Sequence, residues 1–507
     1  MVEAPAGNAR HFDYVVVGAG AAGAVVARRL AEAGRTVALL EAGPGDEGRL
    51  EVADLGRYQE VLRGPLTRRL PIQARPNSNP RVVYPVARVL GGGTSVNTCV
   101  WFRPPASDFC AWVGAGARGW GAEVVHAAFA ELERSVGIET VSHASAPHRA
   151  LLRAAGELGY PAVDFSGDHA DGVGLYRLSK RGAHRRSTSV VFLHPASRPP
   201  DTLHVFTDAC ATRLLFDERA VRGVESNGQE FLADREVVLS AGAFGTPKLL
   251  MLSGIGPAEQ LRALDIPVRH DLFGVGRHLL DHPACAVNLR AVRPVPRLAT
   301  WNYAGVLFAR VADAPEAWPD IEMQLGPEPF EQQTAPAGYP TAADGFCGYL
   351  TVNRARSEGS IRLVSPDPAA DIAIDPNFFG DAEGYDLSVM TGGVRLARRL
   401  FAASAIADWI AEELAPGADC QSDAEIAAYL RHTVTTGYHP AGTCRMGVEG
   451  DPQAVTGPDL RVHGVNGLRI ADASVFPTMV SVNIAATCMT VGMRCADLML
   501  KTPAPVA

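Results

Sequence analysis

Apolar residues open the chain in short unbroken runs. Phe12-Asp13-Tyr14-Val15-Val16-Val17 reads as a buried parallel strand, and Thr36-Val37-Ala38-Leu39-Leu40 as a second. Between them stand Gly18-Ala19-Gly20-Ala21-Ala22-Gly23 and the helical pattern AVVARRLAEAG. Glu236-Val237-Val238-Leu239-Ser240 predicts a third buried strand. A helix over Thr246–Leu252 follows, with Pro247 near its first turn. From 285 to 380 prolines are frequent and alternation mixes with loops; Gly359–Val364 suggests antiparallel strands. Residues 383–432 turn helical, Leu468–Ala471 returns to a strand, and a last helix covers about 484–500. The first and last parts thus predict one α/β domain, split by an inserted strand-rich domain.

Composition narrows the class. The 507 residues are 47% hydrophobic, which is ample for a large core, and the net charge of −8 does not favour nucleic acid or an anionic membrane. The densest basic stretch, Lys180–Arg186, reads as a solvated or substrate-side loop. Nine scattered cysteines without a CxxC read as reduced thiols, and no metal-ligand spacing is present. Residues 1–11 lack the apolar stretch of a signal peptide, and no run of eighteen apolar residues suggests a membrane span. A cytoplasmic location is the expectation.

The chemistry begins at the first glycines. Gly18 permits a tight turn, Gly20 lets backbone approach a pyrophosphate, and Gly23 lets helix and sheet pack closely. Glu41, after the second strand, is placed to accept hydrogen bonds from a ribose 2′-hydroxyl. In Tyr84–Asn97, a glycine triplet followed by Thr94, Ser95 and Asn97 suits a loop laid against a flat ligand. Late in the chain come Tyr438-His439-Pro440-Ala441-Gly442-Thr443 and Asp472–Asn483. A neutral His439 could take a hydroxyl proton, and the carboxamide of Asn483 could hold the same oxygen.

Five segments carry a resemblance: VVVGAGAAG with Glu41, ARVLGGGTSVN, GAFGTPKLLMLSGIG, GVGRHLLDHP, and YHPAGTCRMG with DASVFPTMVSVN. On these the chain resembles the glucose–methanol–choline (GMC) flavin oxidoreductases, and PDIEMQLGPEPF, GYPTAADGF and SVNIAATCMTVGMRCADL are most similar to the choline oxidase branch. The resemblance implies FAD. Gly18, Gly20, Gly23, Glu41 and Ala42 would hold its ADP half, and Ala211 would contact adenine through backbone. Gly92, Thr94 and Asn97 would pass the isoalloxazine, and Asp472 and Ala473 would lie beside the ribityl and pyrophosphate. His439 matches the family's base and Asn483 its partner.

Departures from that branch matter as well. Its covalent flavin histidine is missing, with Tyr84 at the place we align to it, so the FAD is expected to be noncovalent. Tyr303 stands near the place of its ammonium-binding carboxylate, and Gln324 at that of a pocket histidine. Glu322 is a nearby carboxylate that faces either pocket or solvent. The implied reaction is oxidation of an alcohol other than choline to an aldehyde or ketone, by hydride transfer to flavin N5, with oxygen as acceptor. The alternatives are a dehydrogenase using another acceptor and a non-redox hydroxynitrile-lyase-like enzyme. A homodimer is a further expectation. The implied fold is a doubly wound FAD-binding domain (1–150, 191–299, 437–507). Its companion is an α+β substrate domain (151–190, 300–436), an antiparallel sheet backed by helices.

Overall fold

The computed structural model describes residues 9–73, 75, 78–167, 171–296, 303–311 and 318–501. The expected boundary at 299–300 lies outside them. In the first sheet five parallel strands run in the order Leu203–Phe206, Val37–Leu40, Arg10–Val17, Gln229–Leu239, Leu468–Ile470. Strand order reverses between Arg10–Val17 and Gln229–Leu239, and beyond the carboxyl ends of two such strands a crevice opens. The expected strands near 13–17, 36–40, 237–240 and 468–471 are all here. Leu203–Phe206 is an addition: four half-exposed residues at a sheet edge have no apolar run to announce them.

Gln229–Leu239 is longer than its apolar run. Its first half also pairs antiparallel with Ala220–Ser226, which in turn pairs with Ala211–Asp217. The helices Gly23–Glu32 and Ala485–Lys501 pack on one another beneath the glycine turn. The helix expected over Thr246–Leu252 begins at Gly242, so Pro247 lies inside it and not in its first turn.

The second sheet is antiparallel, in the order Ile410–Ala415, Pro283–Ala291, Gly345–Val352, Ile321–Gly326, Gly305–Ala309, Gly172–Leu175. Two expectations are corrected here. Pro283–Ala291, expected with the FAD-binding residues up to 299, is hydrogen-bonded along both edges in this sheet. Ile410–Ala415 lies in the stretch read as helical; pairing with Pro283–Ala291 overrides the helical preference of Ala-Glu-Glu-Leu. Gly359–Val364 does form a strand, Ser360–Leu363, but it pairs with Ile372–Asp375 outside both large sheets.

Strand alternation divides the second sheet's faces. Met323, Leu325, Leu350 and Val352 pack against the helices Ala146–Glu157, Tyr385–Phe401 and Asp423–Thr433. Glu322, Gln324, Tyr349 and Thr351 point the other way, into a cavity beside the first sheet. The basic stretch is also corrected in part. Arg185 is not solvated but fully buried, its guanidinium donating to the carbonyls of Val52, Thr94 and Asn97.

Candidate active site

One cavity of about 560 Å³ runs from the glycine turn to the second sheet. At its first end Gly18 has φ +98°, and a Cβ there would lie 2.4 Å from the carbonyl oxygen of Ser240. Gly20 and Gly92 face each other: a Cβ on Gly92 would fall 2.7 Å from the Cα of Gly20. The two glycine loops thus pack backbone against backbone, and both present side-chain-free backbone to the cavity. Gly23 does not line the cavity; it packs the helix onto the turn, close enough that a Cβ would meet the Gly18 oxygen at 1.9 Å.

Glu41 is buried, and its carboxylate accepts from the backbone N–H of Ala19 (3.1 Å) and of Gly43 (2.9 Å). Burial pushes its carboxyl up to about 7, against those two bonds, which favour the anion. Each oxygen keeps acceptor capacity toward the cavity. Asp208 and Ala209 donate backbone N–H groups to the carbonyls of Gly43 and Glu41, which stitches the Ala211 segment beside Ala42.

Further along, Asp472 accepts from Gly242 N (2.8 Å), Thr246 Oγ1 (2.6 Å) and Ser474 N (2.8 Å), with Ala473 beside it on the wall. Thr94 is held by Gly91 and Thr188. Asn97 lines the cavity, its carbonyl groups accepting from Arg185 and Cys99 and its backbone N–H donating to Gly93. Sequence reasoning missed Arg185. Its position in a basic run pointed outward, and only its partners reveal that it braces the loop.

His439 and Asn483 meet at the far end, Asn483 Nδ2 lying 3.2 Å from His439 Nε2. The other ring nitrogen, Nδ1, lies 2.8 Å from Nδ1 of His282. Burial holds the His439 imidazole well below the usual histidine range, so it is neutral at neutral pH. Below the pair, Asp281 acts as a hub. Its Oδ1 accepts from the backbone N–H of His282 (2.8 Å) and His439 (3.0 Å), and its Oδ2 from Tyr84 (2.8 Å) and Thr436 (2.5 Å). Four donors fill its lone-pair positions. Asp281 and His282 were missed as site residues, although the segment containing them stood out in the sequence.

The remaining residues also line this end. Tyr303 shares a hydroxyl contact of 2.9 Å with Tyr58. Glu322 faces the cavity, not solvent; it is buried, accepts from Tyr176 at 3.0 Å, and burial pushes its carboxyl up to about 7. Gln324 stands beside it. The helix Ala485–Lys501 starts at the same wall, so the positive end of its dipole lies at the cavity.

Two observations test whether FAD fits. The side-chain-free backbones of Gly18, Gly20, Gly92 and Gly93 line the cavity where phosphates would approach, beside a buried ribose acceptor, Glu41. At the other end the carbonyl oxygen of Asn483 is buried without a partner, as a group awaiting a ligand would be. Both agree with a dinucleotide extended along the cavity. Among the described residues no cluster of His, Cys, Asp and Glu could hold a metal ion, and no helix is long and apolar enough to cross a membrane.

Comparison with known proteins gives the same direction. Two models described as GMC oxidoreductase match residues 12–284 and 355–492. Choline oxidase from Arthrobacter globiformis is 40% identical over 96% of this chain and 94% of its own length. Alcohol dehydrogenase [acceptor] from Pseudomonas putida is 32% identical, covering 97% and 96%. Among solved structures, pyridoxine 4-oxidase from Mesorbium loti superposes with a TM-score of 0.89 at 27% identity, covering 97% of this chain and 99% of that one.

Proposed function

The chain belongs to the GMC oxidoreductase family, and from that premise we propose that it oxidises a small alcohol to an aldehyde or ketone. Bound FAD supplies the acceptor for the hydride. The chain's own residues handle the proton and the oxygen. His439 takes the hydroxyl proton at Nε2, while Asn483 Nδ2 donates to the developing alkoxide. The dipole of the Ala485–Lys501 helix favours negative charge at that wall. The arrangement that carries this reading is a neutral, buried imidazole and a carboxamide 3.2 Å apart at the end of a dinucleotide-shaped cavity.

The FAD in this reading is noncovalent. His439 is the only histidine among the described residues lining the cavity, and it is needed as a base. Molecular oxygen is the acceptor we favour, because the 40% identical relative is an oxidase. Substrate choice follows from the lining. Glu322 sits among Tyr58, Tyr303, Phe330 and Tyr349, so it can receive a cationic or hydrogen-bond-donating group framed by aromatic rings. The Tyr58–Tyr303 hydroxyl pair favours a substrate that hydrogen-bonds, which a quaternary ammonium does not. An amino alcohol with N–H groups is thus the first class to test, ahead of choline.

The test is anaerobic mixing of the purified yellow protein with a panel of alcohols, then admission of air. Bleaching by one class names the substrate, and fast recolouring marks an oxidase. Reduction by dithionite but by no alcohol would remove the support for this reading.

A further inference from the structure

We propose that His282 is a positioning residue that fixes the tautomer of His439, so that the nitrogen facing the cavity is the one without a proton. The inference rests on His439 being the base and adds what makes it one.

His282 Nε2 lies 3.0 Å from the carbonyl oxygen of Asn353 and 2.9 Å from that of Val480. Carbonyl oxygens only accept, so Nε2 of His282 carries a proton. The His282 ring is 1% exposed. The nearby carboxylate, Asp281, spends its oxygens on two backbone amides and two hydroxyls, none of them on this ring. A buried imidazolium without a counter-charge is costly, so the ring is neutral and its Nδ1 bears a lone pair.

That lone pair meets His439 Nδ1 at 2.8 Å. Two lone pairs cannot bond, so the proton between them belongs to His439. With Nδ1 protonated, neutral His439 has its lone pair on Nε2. The 3.2 Å contact with Asn483 then has one sense: the Asn483 amide donates to Nε2, until a substrate hydroxyl takes that position and the amide turns to its oxygen. In that orientation the Asn483 carbonyl oxygen is buried with no partner in the protein. Two backbone carbonyls thus set the proton position on a side chain they never touch.

Register brings the two rings together. Pro283 pairs with Thr436 and Ala284 with Thr435, and Gly437 N donates to His282 O at 2.7 Å. When the base takes the hydroxyl proton at Nε2, its Nδ1–H still has an acceptor. The imidazolium is therefore held by a hydrogen bond from the moment it forms, in the manner of a base oriented by a third group.

The test uses FAD-loaded protein. In wild type labelled with 15N-histidine, the His439 signals, assigned by loss in His439→Gln, should show a protonated Nδ1 and an unprotonated Nε2. His282→Leu should retain FAD and its flavin spectrum while the limiting rate of anaerobic flavin reduction falls at least about tenfold, since the proton can then rest on either nitrogen. His282→Gln offers an amide donor and a carbonyl acceptor and should recover most of that rate. A protonated Nε2 in wild type would overturn the proposal even if His282→Leu fails to fold. So would a wild-type rate in His282→Leu, or a loss in His282→Gln as deep as in His282→Leu. The nitrogen signals are read without substrate, so a failure here is separable from a failure of His439 as base, which activity of His439 variants reports.

Discussion

Tyr176 donates its phenol to Glu322 at 3.0 Å, and among the described residues no basic side chain pairs with that carboxylate. A buried acid with one neutral partner is poised between its two forms. Its carboxyl is pushed from 4.5 up to about 7 by burial. If the substrate carries a cationic amine, kcat/KM should rise as Glu322 ionises through about pH 7. Glu322→Gln should lower kcat/KM for that substrate by about 10–100-fold and leave a neutral alcohol nearly unchanged. Equal loss with both would assign Glu322 a purely structural role.

The same group predicts a stability trend. Because the folded value is raised, the folded chain holds this proton where the unfolded chain releases it. Its contribution is full below about pH 4.5 and is lost as pH rises through about 7. The size is on the order of 3 kcal/mol. In ligand-free protein, the fall in Tm from pH 5 to pH 8 should be smaller in Glu322→Gln than in wild type.

Thr443 Oγ1 donates to the carbonyl of Ala243 at 2.6 Å. Pro247, four residues on in the same helix, has no N–H to offer that carbonyl. The hydroxyl therefore replaces the missing helical bond. Thr443→Val should cost about 1–3 kcal/mol, because it leaves a buried acceptor unmet. Flavin reduction by substrate should be unchanged, since Thr443 lies off the cavity wall. A Tm equal to wild type would contradict the assignment.

Glu41 receives two backbone N–H groups and faces the cavity. Glu41→Gln places an amide N–H where one of those donors now points and removes the charge that would meet a ribose. FAD should bind at least about tenfold more weakly. The limiting rate of reduction in the loaded fraction should hold. Titration of apoprotein with FAD, followed by flavin fluorescence, reads the first quantity.

Some of this was legible from sequence because it is local. The strand, Gly18 turn, helix and Glu41 lie within thirty-odd residues, and each residue type has a mechanical reason to be there. His439 and Asn483 needed a family resemblance, since a histidine before proline has many ordinary uses. His282 was not legible as a site residue. It lies 157 positions from His439, and only the pairing of Pro283 with Thr436 joins them. Glu322 could not be assigned a face, because a strand alternates and nothing local fixes its phase. The pairing of Glu322 with Phe308 and Thr351 in the sheet fixes it. The edge strands Leu203–Phe206 and Ile410–Ala415 were lost to shortness and to helical propensity, both of which tertiary pairing overrides.

All of this chemistry turns on His439 taking the alcohol proton. The most direct measurement is anaerobic stopped-flow reduction of FAD-loaded His439→Ala by the best alcohol of the panel. With His439 as the base, the variant should retain flavin and its limiting rate should fall about 10²–10⁴-fold below wild type. Reduction at the wild-type rate, with FAD bound, would contradict it.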